Sequence, residues 1–254
     1  SNVHKIVIVV LVVLFLVTGI FAFRVYFLGS KNSSSEVIKE NQVKNYTTAE
    51  LYQDITQKCK DKSVDCFQEN IREITKRLGP KASLEILELL QDNGFVQRNV
   101  DDHELAHLVG KDTAAAFGIN GEVFLSCPTS FNYGCQHGFF QYALVKIKPV
   151  KKAIDSICGS LGSEHSIKFK FYCYHGVGHG VMDAESYDLK ASLDICDTLD
   201  GIGKDGCWQG AFMENVNAGM RGEARKDIFS KTDPLAPCNQ VQENHTARGC
   251  IDSN

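Results

Sequence analysis

No two of the ten cysteines in this 254-residue chain stand as C-x-x-C. A zinc ribbon or a thioredoxin-type redox site needs that spacing, so both classes are set aside. The chain also lacks G-x-S-x-G, a P-loop and a dinucleotide-binding glycine fingerprint, which excludes nucleophile-elbow hydrolases, P-loop NTPases and Rossmann enzymes. A formal net charge of −4 with no basic stripe gives a phosphate backbone nothing to bind, and no nucleic-acid partner is expected. Charge is missing altogether from residues 6–23, IVIVVLVVLFLVTGIFAF. Alternating β-branched runs are few. Apolar spacing is helical instead, as in SLEILELLQDNG, with Leu84, Ile86, Leu87, Leu89 and Leu90 ahead of Gly94. The expected fold class is all-α.

The uncharged run has eighteen residues, which at about 1.5 Å rise make roughly 27 Å of helix, close to the hydrocarbon thickness of a bilayer. A cleaved signal peptide would have a core of about 7–15 residues followed by a small-x-small site, and FAFRVYF offers none. Residues 1–29 are therefore expected to be a single transmembrane anchor. Residues 30–46, polar and rich in Ser, Asn and Lys, read as a stalk, and residues 47–254 as the domain. Thr47-Thr48-Ala49-Glu50 is a capping-box signal for its first helix. The chain opens Ser-Asn and ends ARGCIDSN, and both ends are expected to be incomplete.

Lys5 on one side of the anchor and Arg24 and Lys31 on the other leave its orientation open. The cysteines speak to it. They fall into five local couples, Cys59/Cys66, Cys127/Cys135, Cys158/Cys173, Cys196/Cys207 and Cys238/Cys250. An even, locally paired set behind an anchor reads as disulfides in an oxidising compartment. Sequons at Asn32, Asn45 and Asn244 agree. The expected location is the cell membrane, single-pass, with the domain on the extracytoplasmic side.

Three segments superpose: CQHGFFQYAL from Cys135, CYHGVGHGVM from Cys173 and CWQGAFMENV from Cys207. Two are preceded by matching stretches, AIDSIC and ASLDIC. The implied unit is a first helix ending near a cysteine, a loop, and a second helix starting at or just after the next cysteine. LAHLVGKDTA joins the register when His107 is aligned with His137, His175 and Gln209, positions 30, 38 and 34 residues apart. PCNQVQENHTARGC begins a further unit that is cut short. In period and layout these two-helix units resemble the tetratricopeptide solenoids over roughly residues 80–254, which implies an α-solenoid-like domain stapled by disulfides. Gly138, Gly176 and Gly210 share one repeat position. They read either as close helix–helix approach or, around Gly176 to Gly180, as room for a ligand against the backbone.

The histidines carry the chemistry. Residues four apart share a helix face, as His103 and His107 do, and likewise His175 and His179. Two imidazoles on successive turns can chelate one metal. His103-Glu104-Leu105-Ala106-His107 resembles the H-E-x-x-H of the zincin metallopeptidases. That resemblance implies His103 and His107 as zinc ligands and Glu104 as general base on a metal-bound water. At position 113, where the metzincin branch places its third ligand, stands Thr113, with Asp112 one place off.

His137, Gln141, Gln209 and Glu214 lie near the matching face. The candidate metal ligands are His103, His107, His137, His175 and His179, for zinc, iron or copper, with Glu104 and Glu214 as catalytic candidates. Helices about 8–10 Å apart let imidazoles reach a shared ion across one step, whereas two steps, roughly 20 Å, demand a strongly curved array. Two functions follow as alternatives. One is an anchored metal-binding protein, hydrolytic at the H-E-x-x-H. The other is a helical scaffold with structural histidines that binds a protein or peptide on the repeat face. Met182, Met213, Phe139, Phe140 and Trp208 read as core.

Overall fold

The computed structural model describes residues 46–61, 63–98, 101–222 and Cys238, and those from Thr47 on belong to one compact unit. The expected membrane anchor, the stalk, the three sequons, Cys250 and the last repeat unit lie outside the described residues. Among the described residues no helix is long and apolar enough to cross a membrane, and all regular structure is helical, with no strand.

Thr47 caps the first described helix, as its capping-box sequence signals. Its side chain accepts from the Glu50 N–H, and Glu50 reaches back to the Thr47 N–H, closing a capping box on α1 (Thr48–Lys58). Next come α2 (Val64–Leu78) and α3 (Pro80–Asp92). Helix α2 buries Phe67, Ile71, Ile74 and Thr75, the spacing of one helix face, and α3 starts on Pro80, whose missing N–H costs nothing at that position.

From there long and short helices alternate. The long ones are α4 (Asp101–Phe117), α6 (Gly134–Lys146), α8 (Ile167–Ala184) and α10 (Gly201–Arg221), and between them lie α5 (Gly121–Leu125), α7 (Val150–Ile157) and α9 (Leu189–Cys196). Each long helix packs on the next, α4 on α6, α6 on α8 and α8 on α10, while α2 and α3 support α4.

Disulfides join Cys59 to Cys66, Cys127 to Cys135, Cys158 to Cys173 and Cys196 to Cys207. Each ties the end of a shorter helix or the turn after it to the helix that follows, with separations of 7, 8, 15 and 11 residues. Closing a loop of about 15 residues contributes on the order of 3 kcal/mol in the chain-entropy model. One detail of the expected unit changes. The second helices of the last two pairs begin well before their cysteines, at Ile167 and Gly201. Ser166 is the reason in α8, since its side chain accepts from the Phe169 N–H and caps the helix a turn and a half earlier.

Two apolar clusters flank the long helices. One gathers Leu51, Phe67, Ile71, Leu87, Leu105 and Val109 around α1–α4, and the other Phe124, Phe139, Phe140, Val177, Met182 and Trp208 around α5–α10. Phe139, Phe140, Met182 and Trp208 are thus core, and Met213 is partly buried.

The long helices touch backbone to backbone. A Cβ on Gly110 would overlap the Cys135 carbonyl, and one on Gly138 the His107 carbonyl. Between α8 and α10, Gly178 would meet the Cys207 carbonyl and Gly210 the His175 carbonyl, and between α6 and α8 a Cβ on Gly180 would stand 2.5 Å from the Phe140 carbonyl oxygen. The glycines from 176 to 180 therefore face neighbouring helices, and the reading as ligand space gives way to packing. Gly138→Ala should lower stability by at least about 1–3 kcal/mol, the usual cost of an extra methyl with no room. Gly121→Ala, whose Cβ would find nothing nearer than 3.9 Å, should stay within about 0.5 kcal/mol. Thermal unfolding of the two variants checks this, and equal effects would mean that the close approach is not needed.

Candidate metal centre

The same contacts bring five imidazoles together. Helix α4 presents His103 and His107 on successive turns, α6 presents His137, and α8 presents His175 and His179. Ring centroids are 4.5 Å apart for His103–His107 and 5.0 Å for His175–His179. His137 lies between the pairs, 5.7 and 5.3 Å from His103 and His107 and 4.9 and 4.8 Å from His175 and His179. Across two helical steps His107 and His179 come within 5.3 Å. Imidazoles on α4 and α8 therefore reach one another across the two steps. Glycine contacts thin each interface, and the five rings form one cluster. His107, His137, His175 and His179 are buried, and His103 is partly so.

Four of the five rings have an acceptor behind them. His103 Nδ1 donates to the Phe131 carbonyl at 2.8 Å, His107 Nδ1 to Gln141 Oε1 at 2.9 Å, His175 Nδ1 to Gln209 Oε1 at 3.1 Å and His179 Nδ1 to Glu214 Oε2 at 2.7 Å. Such partners fix the tautomer and aim the Nε2 lone pair, the device that orients histidine ligands in metal sites. The aimed nitrogens meet: Nε2 of His103 and His107 are 3.0 Å apart, and Nε2 of His175 and His179 are 3.2 Å apart. Two nitrogens each about 2.0–2.1 Å from one ion would stand roughly 2.9–3.4 Å apart. His137 differs from the rest, because both its ring nitrogens are buried with no hydrogen-bond partner. Leaving a buried polar group unpaired costs about 1–3 kcal/mol.

Electrostatics favours ligation as well. Burial, before any other cause, holds His107, His137 and His175 well below the usual histidine value of 6.5, and the neighbouring imidazoles add to it. His179 falls to about 3, through burial first and then His103 and the Arg221 and Lys111 cations. Neutral imidazole is the form that binds metal. The two groups whose ligand atoms converge are His103/His107/His137 and His137/His175/His179.

Other predicted residues fall differently. Glu214 is fully buried and commits one oxygen to His179 and the other to Arg221 Nη2 at 2.6 Å. Its place is behind a ring. Glu104 is about half exposed and lies 3.9 Å from Arg221 Nη1, and it belongs to neither histidine group. Thr113 donates to the Val109 carbonyl, and Asp112 faces Arg72 on α2 at 3.7 Å, so the metzincin third position contributes nothing to the cluster.

Two contributors are not ligand-type side chains. Arg221 stands seven residues, two helical turns, after Glu214, and that spacing was its only signal. The Phe131 carbonyl is presented by three successive residues in the left-handed region, Phe131, Asn132 and Tyr133, at φ 52, 51 and 63. Each costs on the order of 1–3 kcal/mol, and Tyr133 offsets part of this by stacking on Tyr172, centroids 4.1 Å apart. His103 also lines a cleft of ≈ 260 Å³ with Gln91, Arg98, Asp102, Ser130 and Asn132.

Comparison with protein-family models, curated proteins and solved structures finds no match for this chain.

In the unfolded chain these histidines take a proton near 6.5, whereas folded His179 does so only at about 3. Below 6.5 the unfolded state therefore binds more protons, so the stability is complete above that value and is lost as pH falls toward 3. With chelator present, the melting temperature should drop steadily from about pH 7 to pH 4, and less steeply in His137→Leu. Parallel profiles for the two proteins would show that the buried His137 ring is not among the causes.

Proposed function

We propose that this chain is a membrane-anchored, extracytoplasmic metal-binding protein. A disulfide-stapled helical repeat of solenoid type holds a transition metal between α4, α6 and α8. The observation that carries the reading is the convergence of five imidazoles, four of them with an acceptor at Nδ1 and the aimed Nε2 atoms at ligand spacing. Hydrogen-bonded structural histidines would not need to turn lone pairs toward one another, and His137 would not be left without a partner. An all-imidazole set with no thiolate suits zinc, copper or iron. Four local disulfides support an oxidising compartment, and the uncharged run at residues 6–23 supports the anchor.

A second reading, metal-assisted hydrolysis, is favoured by the cleft beside His103. An ion there would polarise a water or a carbonyl in the cleft. Glu104 would then be its base, although in this structure it sits beside Arg221 on the exposed side of α4.

Metal analysis of the full chain, purified with its disulfides formed, tests the first reading. Metal should be present in stoichiometric amount in the wild type and fall by at least half in the double variant His103→Ala/His107→Ala. Folded protein with no metal in either form would leave the scaffold reading, in which the repeat face binds a protein or peptide. Glu104→Gln separates the hydrolase: metal retained with hydrolytic turnover abolished supports it, and unchanged turnover removes Glu104 from the chemistry.

A further inference from the structure

Resting on the metal-binding reading above, we propose that the centre takes two divalent transition-metal ions and that the His137 ring is shared between them. The His103/His107 pair and the His175/His179 pair each present Nε2 atoms at the spacing of two ligands on one ion, 3.0 and 3.2 Å. The ligand atoms form two groups of three, within 4.8 Å inside each group, and His137 belongs to both. A single ion would use His137 with one pair and leave the other pair facing itself.

His137 has what a shared ring requires. The two nitrogens of an imidazole diverge, and both of its nitrogens are buried and without a hydrogen-bond partner. The other four rings each have Nδ1 occupied by Phe131, Gln141, Gln209 or Glu214, which limits each to one metal bond through Nε2. His137 alone lacks such an acceptor. A ring that ligates through both nitrogens has no N–H left to donate, so an acceptor behind it would have no use. In its neutral form His137 carries one ring proton. When the second nitrogen binds, that proton leaves to solvent, the ring becomes an imidazolate between two cations, and no electron changes hands. First-row divalent ions that prefer imidazole, copper and zinc foremost, are the class this set accepts.

Copper(II) added to the chelator-stripped full chain tests the idea, counting only copper that survives gel filtration. Wild type should saturate at two equivalents per chain. Its paramagnetic resonance signal should then integrate to well under half of the bound copper, because ions joined through one ring couple. His103→Ala/His107→Ala and His175→Ala/His179→Ala should each keep one equivalent with the full signal of an isolated ion. Circular dichroism checks that each variant is folded, and His→Gln versions replace any that is not. Saturation of the wild type at one equivalent overturns the two-ion centre and leaves the metal-binding reading standing. Two equivalents with a full, uncoupled signal overturn the shared ring, and no retained copper overturns both readings.

Discussion

Backbone-to-backbone contact between the long helices is the constraint on which the histidine cluster depends. Ordinary helix packing keeps axes about 8–10 Å apart with side chains interleaved. At that spacing rings on α4 and α8 would be strangers. Here the His107 and His175 carbonyls rest against Gly138 and Gly210, and the Cys135 and Cys207 carbonyls against Gly110 and Gly178. Glycine inside a helix costs about 1 kcal/mol relative to alanine. The chain accepts that cost repeatedly where its long helices meet, including the α4–α6 and α6–α8 interfaces that carry the imidazoles.

A cluster of this kind is an expense that the rest of the fold must cover. His107, His137, His175 and His179 are withdrawn from water together with Gln141 and Glu214, and none of them contributes what a leucine would in the same place. The apolar clusters on either side and the disulfides among the described residues carry the stability that the polar interior does not. Arg221 matters in the same way. Its bond to Glu214 and its approach to Glu104 link the last turn of α10 to the first turn of α4.

Much of this was legible in the sequence. Cysteine order alone indicated the four described pairings, because local couples in an α-helical chain rarely have nearer rivals. The i,i+4 histidine pairs and the register of His107, His137 and His175 singled out the cluster, and Gln141 and Gln209 stood on the right face. The closeness of the helices was not legible. Periodicity says which residues share a face but not how near successive helices come, and this depends on carbonyl contacts made by individual glycines. The roles of Glu104 and Glu214 were hidden for a related reason. Position on a helix does not say which neighbour a carboxylate will meet, and Arg221, two turns along α10, draws on both. Main-chain groups such as the Phe131 carbonyl leave no trace in residue types at all.

The staples have one more consequence, concerning how the molecule is made. The eight cysteines of the described pairs alone allow roughly a hundred pairings. The four bonds here follow the simplest rule available, each sulfur taking the next one along the chain. A polypeptide threading into an oxidising space can therefore lock each hairpin as it emerges, before later thiols arrive to compete. Scrambled isomers would have to displace bonds already formed, and correct oxidation can proceed in step with synthesis.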